Sequence, residues 1–517
     1  MRIQLAVLAA LSLSAPAQQT NLGHIDFPTS GSKEAQRHFI QGVLLLHSFE
    51  YGDSRDEFQA AAKLDPGFAM AYWGEALTYT HQVWVEQDAP AARAALQRLA
   101  STPEARSAKA PTQREKDYLQ AVELLYGEGD KISRDLAYAD AMGRMMKKYP
   151  EDLEAASLYA VALLGTCQYE RQYPVYMRAA EIAEEVFAKN PQHPGAIHYL
   201  IHAYDDPVHA PLGLRAARVY AQVAGSASHA QHMPSHIFFA LGMWDDAVSA
   251  NIRSIAVADE RIKRKGLGVD QRNYHSLQWL LYAYLQEGRE AEARGVIADV
   301  EHTGGTRGLA PMKAYYALET GKQDESLIAA KPPMLGSAVA VWNAYGLVGA
   351  RNGKLDQTRA AFESIQKRLS GPAEAAAAAS QHAGGNHGTP ASAETPAERK
   401  AAEIMMQQLQ AELWIADGKP DQALELLAKT AAAEDELTFE FGPPVPMKPA
   451  HELYAEELLA AHRPKQALAE FERALARAPK RAQSLRGLAK AAAAAGDTQT
   501  SQNALQELKS FWRADAN

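Results

Sequence analysis

The chain predicts an all-α fold built from antiparallel helix pairs, and three observations carry that prediction. Apolar residues recur mostly at spacings of three and four, and no stretch alternates with the period of two that a strand needs. Prolines end helical patterns at recurring places, in Lys63-Leu64-Asp65-Pro66, Lys148-Tyr149-Pro150, Lys189-Asn190-Pro191 and Arg477-Ala478-Pro479. A glycine turn followed by an alanine-rich helix also recurs, as in Leu241-Gly242-Met243-Trp244-Asp245-Asp246-Ala247 and Ala416-Asp417-Gly418-Lys419-Pro420-Asp421-Gln422-Ala423. Glycine there tolerates the left-handed backbone that ends a helix. A single compact core stops growing near ~250–300 residues, so 517 residues call for several domains or an extended array.

In chain order, residues 1–17 read as a secretory signal peptide. Arg2 precedes an apolar stretch from Leu5 to Leu13, and Ala15-Pro16-Ala17 supplies small residues before Gln18. That stretch is too short to span a bilayer, which takes ~20 residues. No later segment reaches spanning length without charges, so the mature chain is expected to be soluble and periplasmic or secreted. Residues 18–32 form an N-terminal extension, 33–370 an N-terminal array, 371–398 a low-complexity linker and 399–512 a smaller C-terminal array. The linker reads as disordered because Gly, Pro, Ala and Ser dominate it. Residues 86–117 and 261–273 interrupt the repeat pattern; the first holds Pro90, Pro103 and Pro111, the second the basic run Arg261-Ile262-Lys263-Arg264-Lys265.

Within the arrays, Ala474, Phe471 and Ala467 lie five, eight and twelve residues before Pro479. Ala61 and Phe58 lie five and eight before Pro66, with Gly42 further back. Small and aromatic residues in that register let two helices approach with a wedge between them. On these residues, and on Trp342, Gly346, Gly353 and Phe362 of a further unit, the chain resembles the tetratricopeptide repeat (TPR) family. The resemblance covers most of 33–512 and implies a TPR-like α-solenoid of stacked helix pairs, which binds a peptide or protein partner in its concave groove.

Composition narrows the chemistry. One cysteine, Cys167, excludes a disulfide framework and thiolate-rich zinc or iron–sulfur sites. A net charge of −9 argues against a non-specific nucleic-acid binder. No phosphate-binding glycine loop or dinucleotide fingerprint appears, so no nucleotide cofactor is expected. No Ser-His-Asp signature appears either.

The histidines are the chemical feature. Seven of 17 fall between His193 and His236. His198 and His202 are four apart and share a helix face, and so would His232 and His236. The interval from His198 to His232 is 34 residues, as is that from His202 to His236. The two pairs therefore hold equivalent places in consecutive repeats, and the TPR resemblance implies that those places face the groove. Imidazole suits zinc, copper, nickel or iron. The expectation is one transition-metal ion, zinc or copper foremost, shared by His198, His202, His232 and His236. His229 and His275 are candidate further ligands, each at the second place of its unit. Asp205 and Asp206 are placed to orient imidazole N–H groups. Glu75, His47 and Tyr282 are candidate groove residues. One feature cuts across the proposal: Pro234 biases Met233 away from helix, which would set His232 outside the helix carrying His236.

His198-Tyr199-Leu200-Ile201-His202 lacks the glutamate that zinc proteases place after the first histidine. The sequence therefore points first to an exported binding scaffold with a histidine-bound metal. A metal-dependent hydrolase or oxidase built on the same histidines is the alternative, because an ion with an open position activates water or oxidises.

Overall fold

The computed structural model describes residues 21–167, 170–306, 308–322, 335–371, 395–439 and 441–513. The signal-peptide expectation and most of the linker expectation, 372–394, lie outside the described residues. Helix fills nearly all the rest. The first units are α1 (Lys33–His47) with α2 (Tyr51–Leu64), and α3 (Ala69–Leu77) with α4 (Ala89–Leu99). After α5 (Pro103–Ser107) come α6 (Gln113–Leu125) with α7 (Lys131–Lys148), and α8 (Leu153–Thr166) with α9 (Tyr173–Lys189). The central units are α10 (Pro194–Ala203) with α11 (Ala210–Val223), α12 (Ser228–His232) and α13 (Pro234–Ala240) with α14 (Trp244–Lys265), and α15 (Tyr274–Gln286) with α16 (Glu290–His302). Then follow α17 (Leu309–Thr320), α18 (Leu335–Arg351) and α19 (Leu355–Ser370). The last units pair α20 (Pro396–Ala416) with α21 (Pro420–Asp435), α22 (Ala450–Ala460) with α23 (Pro464–Arg477), and α24 (Ala482–Ala495) with α25 (Thr498–Phe511). Successive helices pack as antiparallel neighbours, a TPR-like all-helical solenoid.

The wedges act as the spacing predicts. A Cβ on Gly74 would lie 2.2 Å from the Phe58 ring, and one on Gly487 would lie 2.1 Å from Phe471. Only glycine lets the neighbouring helix close onto these rings. No described helix is long and apolar enough to cross a membrane.

Both expected interruptions have structure. In the first, Thr80 and His81 pair antiparallel with Gln87 and Glu86 before α4 and α5. In the second, α14 runs on through the basic stretch, and Arg261 and Lys265 bind Asp53 of α2 at 2.5 and 2.6 Å. Helix α20 begins inside the expected linker, at Pro396, because Thr395 and Glu398 form a capping box there. The extension also packs: Leu22, Ile25 and Phe27 are buried, and His24 N–H donates to the Gln192 carbonyl at 2.9 Å.

The C-terminal units fold back onto the middle of the chain. Trp244 Nε1–H donates to the Lys480 carbonyl at 3.1 Å, and Ala482 N–H to Gln286 Oε1 at 2.9 Å. Arg513 pairs with Asp245, and Phe441 lies 5.3 Å from the His236 ring.

Candidate metal centre

Three consecutive first helices bring six histidines to one level. His198 and His202 project from α10, which starts at Pro194 with His193 as its cap. His229 and His232 stand on α12 and His236 on α13. His275 stands at the start of α15, where the Asn273 side chain caps Ser276 N–H at 3.0 Å. Met233 before the proline stays helical at φ −52° and ψ −36°, so the chain breaks its hydrogen-bond ladder without turning away. His232 therefore does share a face with His236, contrary to the expectation from Pro234: their Nε2 atoms are 3.2 Å apart.

The six fall into two groups rather than around one shared ion. His198, His202 and His229 form one, and His232, His236 and His275 the other; within each, the potential ligand atoms lie within 4.8 Å of one another. The groups adjoin. The His202 and His236 rings are 5.8 Å apart and the His229 and His232 rings 6.2 Å apart.

Hydrogen bonds fix which nitrogen of each ring faces inward. His236 Nδ1–H donates to Asp205 Oδ2 at 2.5 Å. His232 Nδ1–H donates to Asn251 Oδ1 at 2.7 Å, and the other end of that amide is committed to the Ala247 carbonyl at 2.9 Å. The Nε2 atoms of the two rings face each other at 3.2 Å. A proton on one ring, or a cation beside both, would satisfy this contact. In the first group His198 Nδ1–H donates to the His47 carbonyl at 2.7 Å, which turns its Nε2 lone pair toward His229 Nε2 at 3.2 Å. Burial drives the His198 pKa down to about 3, and burial followed by the other imidazoles lowers that of His229. These rings resist protonation and keep their lone pairs at neutral pH.

The remaining expected residues take other roles. Asp206 does not orient the cluster; it caps Val208 and His209 N–H at 2.9 and 3.0 Å and pairs with His209 and Arg171. Glu75 is spent on Arg98 and on Gln59 at 2.9 Å, a bridge across α2, α3 and α4. Tyr282 lies away from the histidines and accepts from Arg481 Nη1 at 2.7 Å. His47 contributes its carbonyl, not its ring, to the His198 group.

That ring belongs to a third cluster, which the sequence does not reveal because its members lie 107 and 39 positions apart. His47 Nε2–H donates to Glu154 Oε2 at 2.7 Å, His193 Nε2–H to Glu154 Oε1 at 2.9 Å, and Tyr199 O–H to His47 Nδ1 at 2.8 Å. Burial opposes ionisation of Glu154, but the His193 and His47 interactions outweigh it and hold its pKa below the usual carboxylate range. Every ring nitrogen here has a complementary partner, since His193 Nδ1 accepts from Ala196 N–H at 3.2 Å. This cluster is a satisfied carboxylate network.

His198 is 0 %, His202 4 %, His232 0 % and His236 2 % exposed, so they form an interior centre rather than an open groove floor. His229 and His275 reach a pocket whose wall includes His232, Phe49, Trp84, Glu50 and Arg261. The inserted stretch that extends α14 builds one side of it.

No family model and no curated protein matches the sequence. Among solved structures, human IFIT1 in its dimer with m7Gppp-AAAA is 12% identical, over 94% of this chain and 91% of that one, with a TM-score of 0.34. The P58(IPK) TPR domain is 15% identical, over 90% and 99%, with a TM-score of 0.22. Yeast Tom70 is 11% identical, over 90% of each, with a TM-score of 0.29. Overlaps at this level carry no argument about function; the TPR-like character rests on the chain's own helix pairs and wedges.

Proposed function

We propose that this is an exported TPR-like protein whose interior holds a pair of transition-metal ions, copper foremost, and that its work is oxidative metal chemistry at that pair. The observation that supports this most directly is the pair of Nε2 atoms of His232 and His236, facing at 3.2 Å with both Nδ1 atoms hydrogen-bonded elsewhere. A buried arrangement of that kind is stabilised by a cation.

The donor set favours copper. Both groups are all-imidazole, and among the described residues no carboxylate joins either one. Imidazole sites bind copper most strongly among divalent first-row metals. Two divalent ions would bring four positive charges into a buried space with Asp205 the carboxylate bonded directly to a ligand ring. A cuprous pair brings half that charge and, because the cost of burying an ion grows with the square of its charge, about a quarter of that cost. Hydrolysis is the second reading, because Glu50, on the wall of the same pocket and with its pKa raised by burial, is a carboxylate placed to act as acid or base. A peptide or protein partner of the array would dock away from His198, His202, His232 and His236, which are buried.

Metal analysis of chain purified without a histidine tag tests the proposal. Two copper ions per chain are expected, falling to one in a His232→Ala, His236→Ala double variant of unchanged helix content. A metal-free chain whose unfolding midpoint is unmoved by added copper overturns it.

A further inference from the structure

We propose that the Trp512-Arg513 tail is a clasp on the facing carboxyl groups of Asp245 and Glu287, closed while Glu287 is protonated and loosened when it ionises. The clasp joins three separate segments: the tail that follows α25, the start of α14 and the turn after α15. Arg513 N–H donates to the Glu287 carbonyl at 2.7 Å, and the Arg513 guanidinium binds both oxygens of Asp245. The Trp512 indole lies on Gly288, where a Cβ would come within 2.4 Å of the ring and where φ is +73°. Only glycine suits both that backbone and that contact. The Arg486 guanidinium stands 3.8 Å from the centre of the same indole.

Beneath the tail, Glu287 is 0 % exposed. Its Oε2 accepts from Arg289 Nη1 at 3.0 Å, but among the described residues its buried Oε1 finds no donor. Arg289 is itself shared, since its Nε donates to Glu292 at 2.9 Å and its guanidinium stands over the Tyr284 ring at 4.3 Å. Burial opposes ionisation of Asp245, but the Arg513 bond outweighs it, so Asp245 stays charged and opposes a second charge beside it. The charged groups around Glu287 are thus Asp245 from α14, Arg289 from its own turn and Arg513 from the tail. Burial first, and then the Asp245 charge, outweigh Arg289 and push the Glu287 pKa up from 4.5 to about 7.

The proton and the tail therefore favour each other. A group whose pKa is raised in the closed state contributes fully below its open-state value of 4.5, and that contribution is lost as pH rises through about 7. Above that, Glu287 either holds a charge in a buried place or sheds the tail and takes up water. Shedding the tail removes the burial that raised its pKa, so ionisation and release reinforce each other by linkage. Arg513 does not offset this, because its guanidinium is already committed to Asp245. The last helix is thus held by a contact that senses pH through a residue 226 positions before Arg513.

Hydrogen exchange of the full chain tests this, read on the peptide spanning 505–513 and expressed relative to the unstructured rate at each pH. Between about pH 5 and about pH 9, protection there is expected to fall about ten-fold or more, while that of α8 stays level. The readout is local, so groups that titrate elsewhere do not enter it. Glu287→Gln, neutral at every pH, is expected to keep the tail protected across the range. Equal protection at both ends of the range in the natural chain overturns the proposal, and so does an equal fall in the Glu287→Gln variant. Arg289→Gln is the second variant, because it leaves every tail contact in place. Losing the group that favours ionised Glu287 should carry the midpoint of the fall to higher pH. A midpoint that stays or moves down overturns the assignment to Glu287.

Discussion

Two of the buried polar clusters are built on opposite rules. In the C-terminal one, buried Arg481 binds Glu452 at 2.7 Å and Glu319 at 2.6 Å, while Lys448 binds the same Glu452 at 2.7 Å. Charges of opposite sign alternate, and donors meet acceptors. In the histidine cluster the residues are of one kind, and ring nitrogen meets ring nitrogen. Most members of both clusters are buried, so burial alone does not mark a functional site. Complementarity separates them: in the first cluster charges of opposite sign pair off, and in the second imidazoles face one another, which is why we propose a cation there.

The largest effect should come from breaking the charge-paired cluster. Arg481→Ala leaves Glu452 and Glu319 short of a partner, and stranding a buried charge costs about 3–5 kcal/mol. Urea unfolding should show that loss equally with copper present or removed; a loss that copper reverses would erase the distinction between the clusters. Next, copper at 100 times its dissociation constant should stabilise the natural chain by about 2.7 kcal/mol. The His198→Ala, His202→Ala variant should gain less, and the Arg481→Ala variant as much as the natural chain. Calorimetry at matched copper concentrations checks both.

A third prediction joins the histidine centre to its support. A Cβ on Gly195 would lie 2.3 Å from His47 Nδ1. Gly195→Ala should therefore push His47 aside, costing about 1–3 kcal/mol by overpacking. It should also weaken copper binding at the first group, because the His47 carbonyl anchors His198. Unchanged affinity in a stably folded variant would show that the anchor is dispensable.

The smallest effect is a pH dependence confined to the charge-rich half. Burial pulls the His451 pKa down, but hydrogen bonds to Glu470 and Asp435 and the carboxylate charge around it outweigh burial, and the net shift from 6.5 is upward. The imidazolium is favoured more in the folded state than in the unfolded one. Its contribution is fully present below pH 6.5 and is lost as pH rises through the raised folded value. His451→Gln should flatten that part of the stability profile; an unflattened profile would assign the dependence elsewhere.

The fold was legible because repetition states it many times over: Phe58 and Ala61 before Pro66 and Phe471 and Ala474 before Pro479 hold the same register. The histidine pairs were legible for the same reason, since a 34-residue interval maps one repeat onto the next. Their division into two groups was not, because it depends on how far each repeat turns relative to its neighbour. Asp205 and Asp206 are adjacent and chemically alike, yet one holds His236 and the other caps α11. Only the direction of the chain after Tyr204 separates them. Glu154 carried no signal at all, because its partners come from distant repeats.

The return of the C-terminal units onto the central ones changes how such a chain should come apart. A stack whose units touch only neighbours can fray from either end and lose one unit at a time. Here Trp244 is bonded to Lys480, and Arg513 to Asp245, across more than 230 positions. Peeling away the last helices strips contacts from the middle, next to the histidine centre. Loss of the tail and loss of the centre should therefore be one cooperative event, and shortening the chain from its end should be felt first where the six histidines meet.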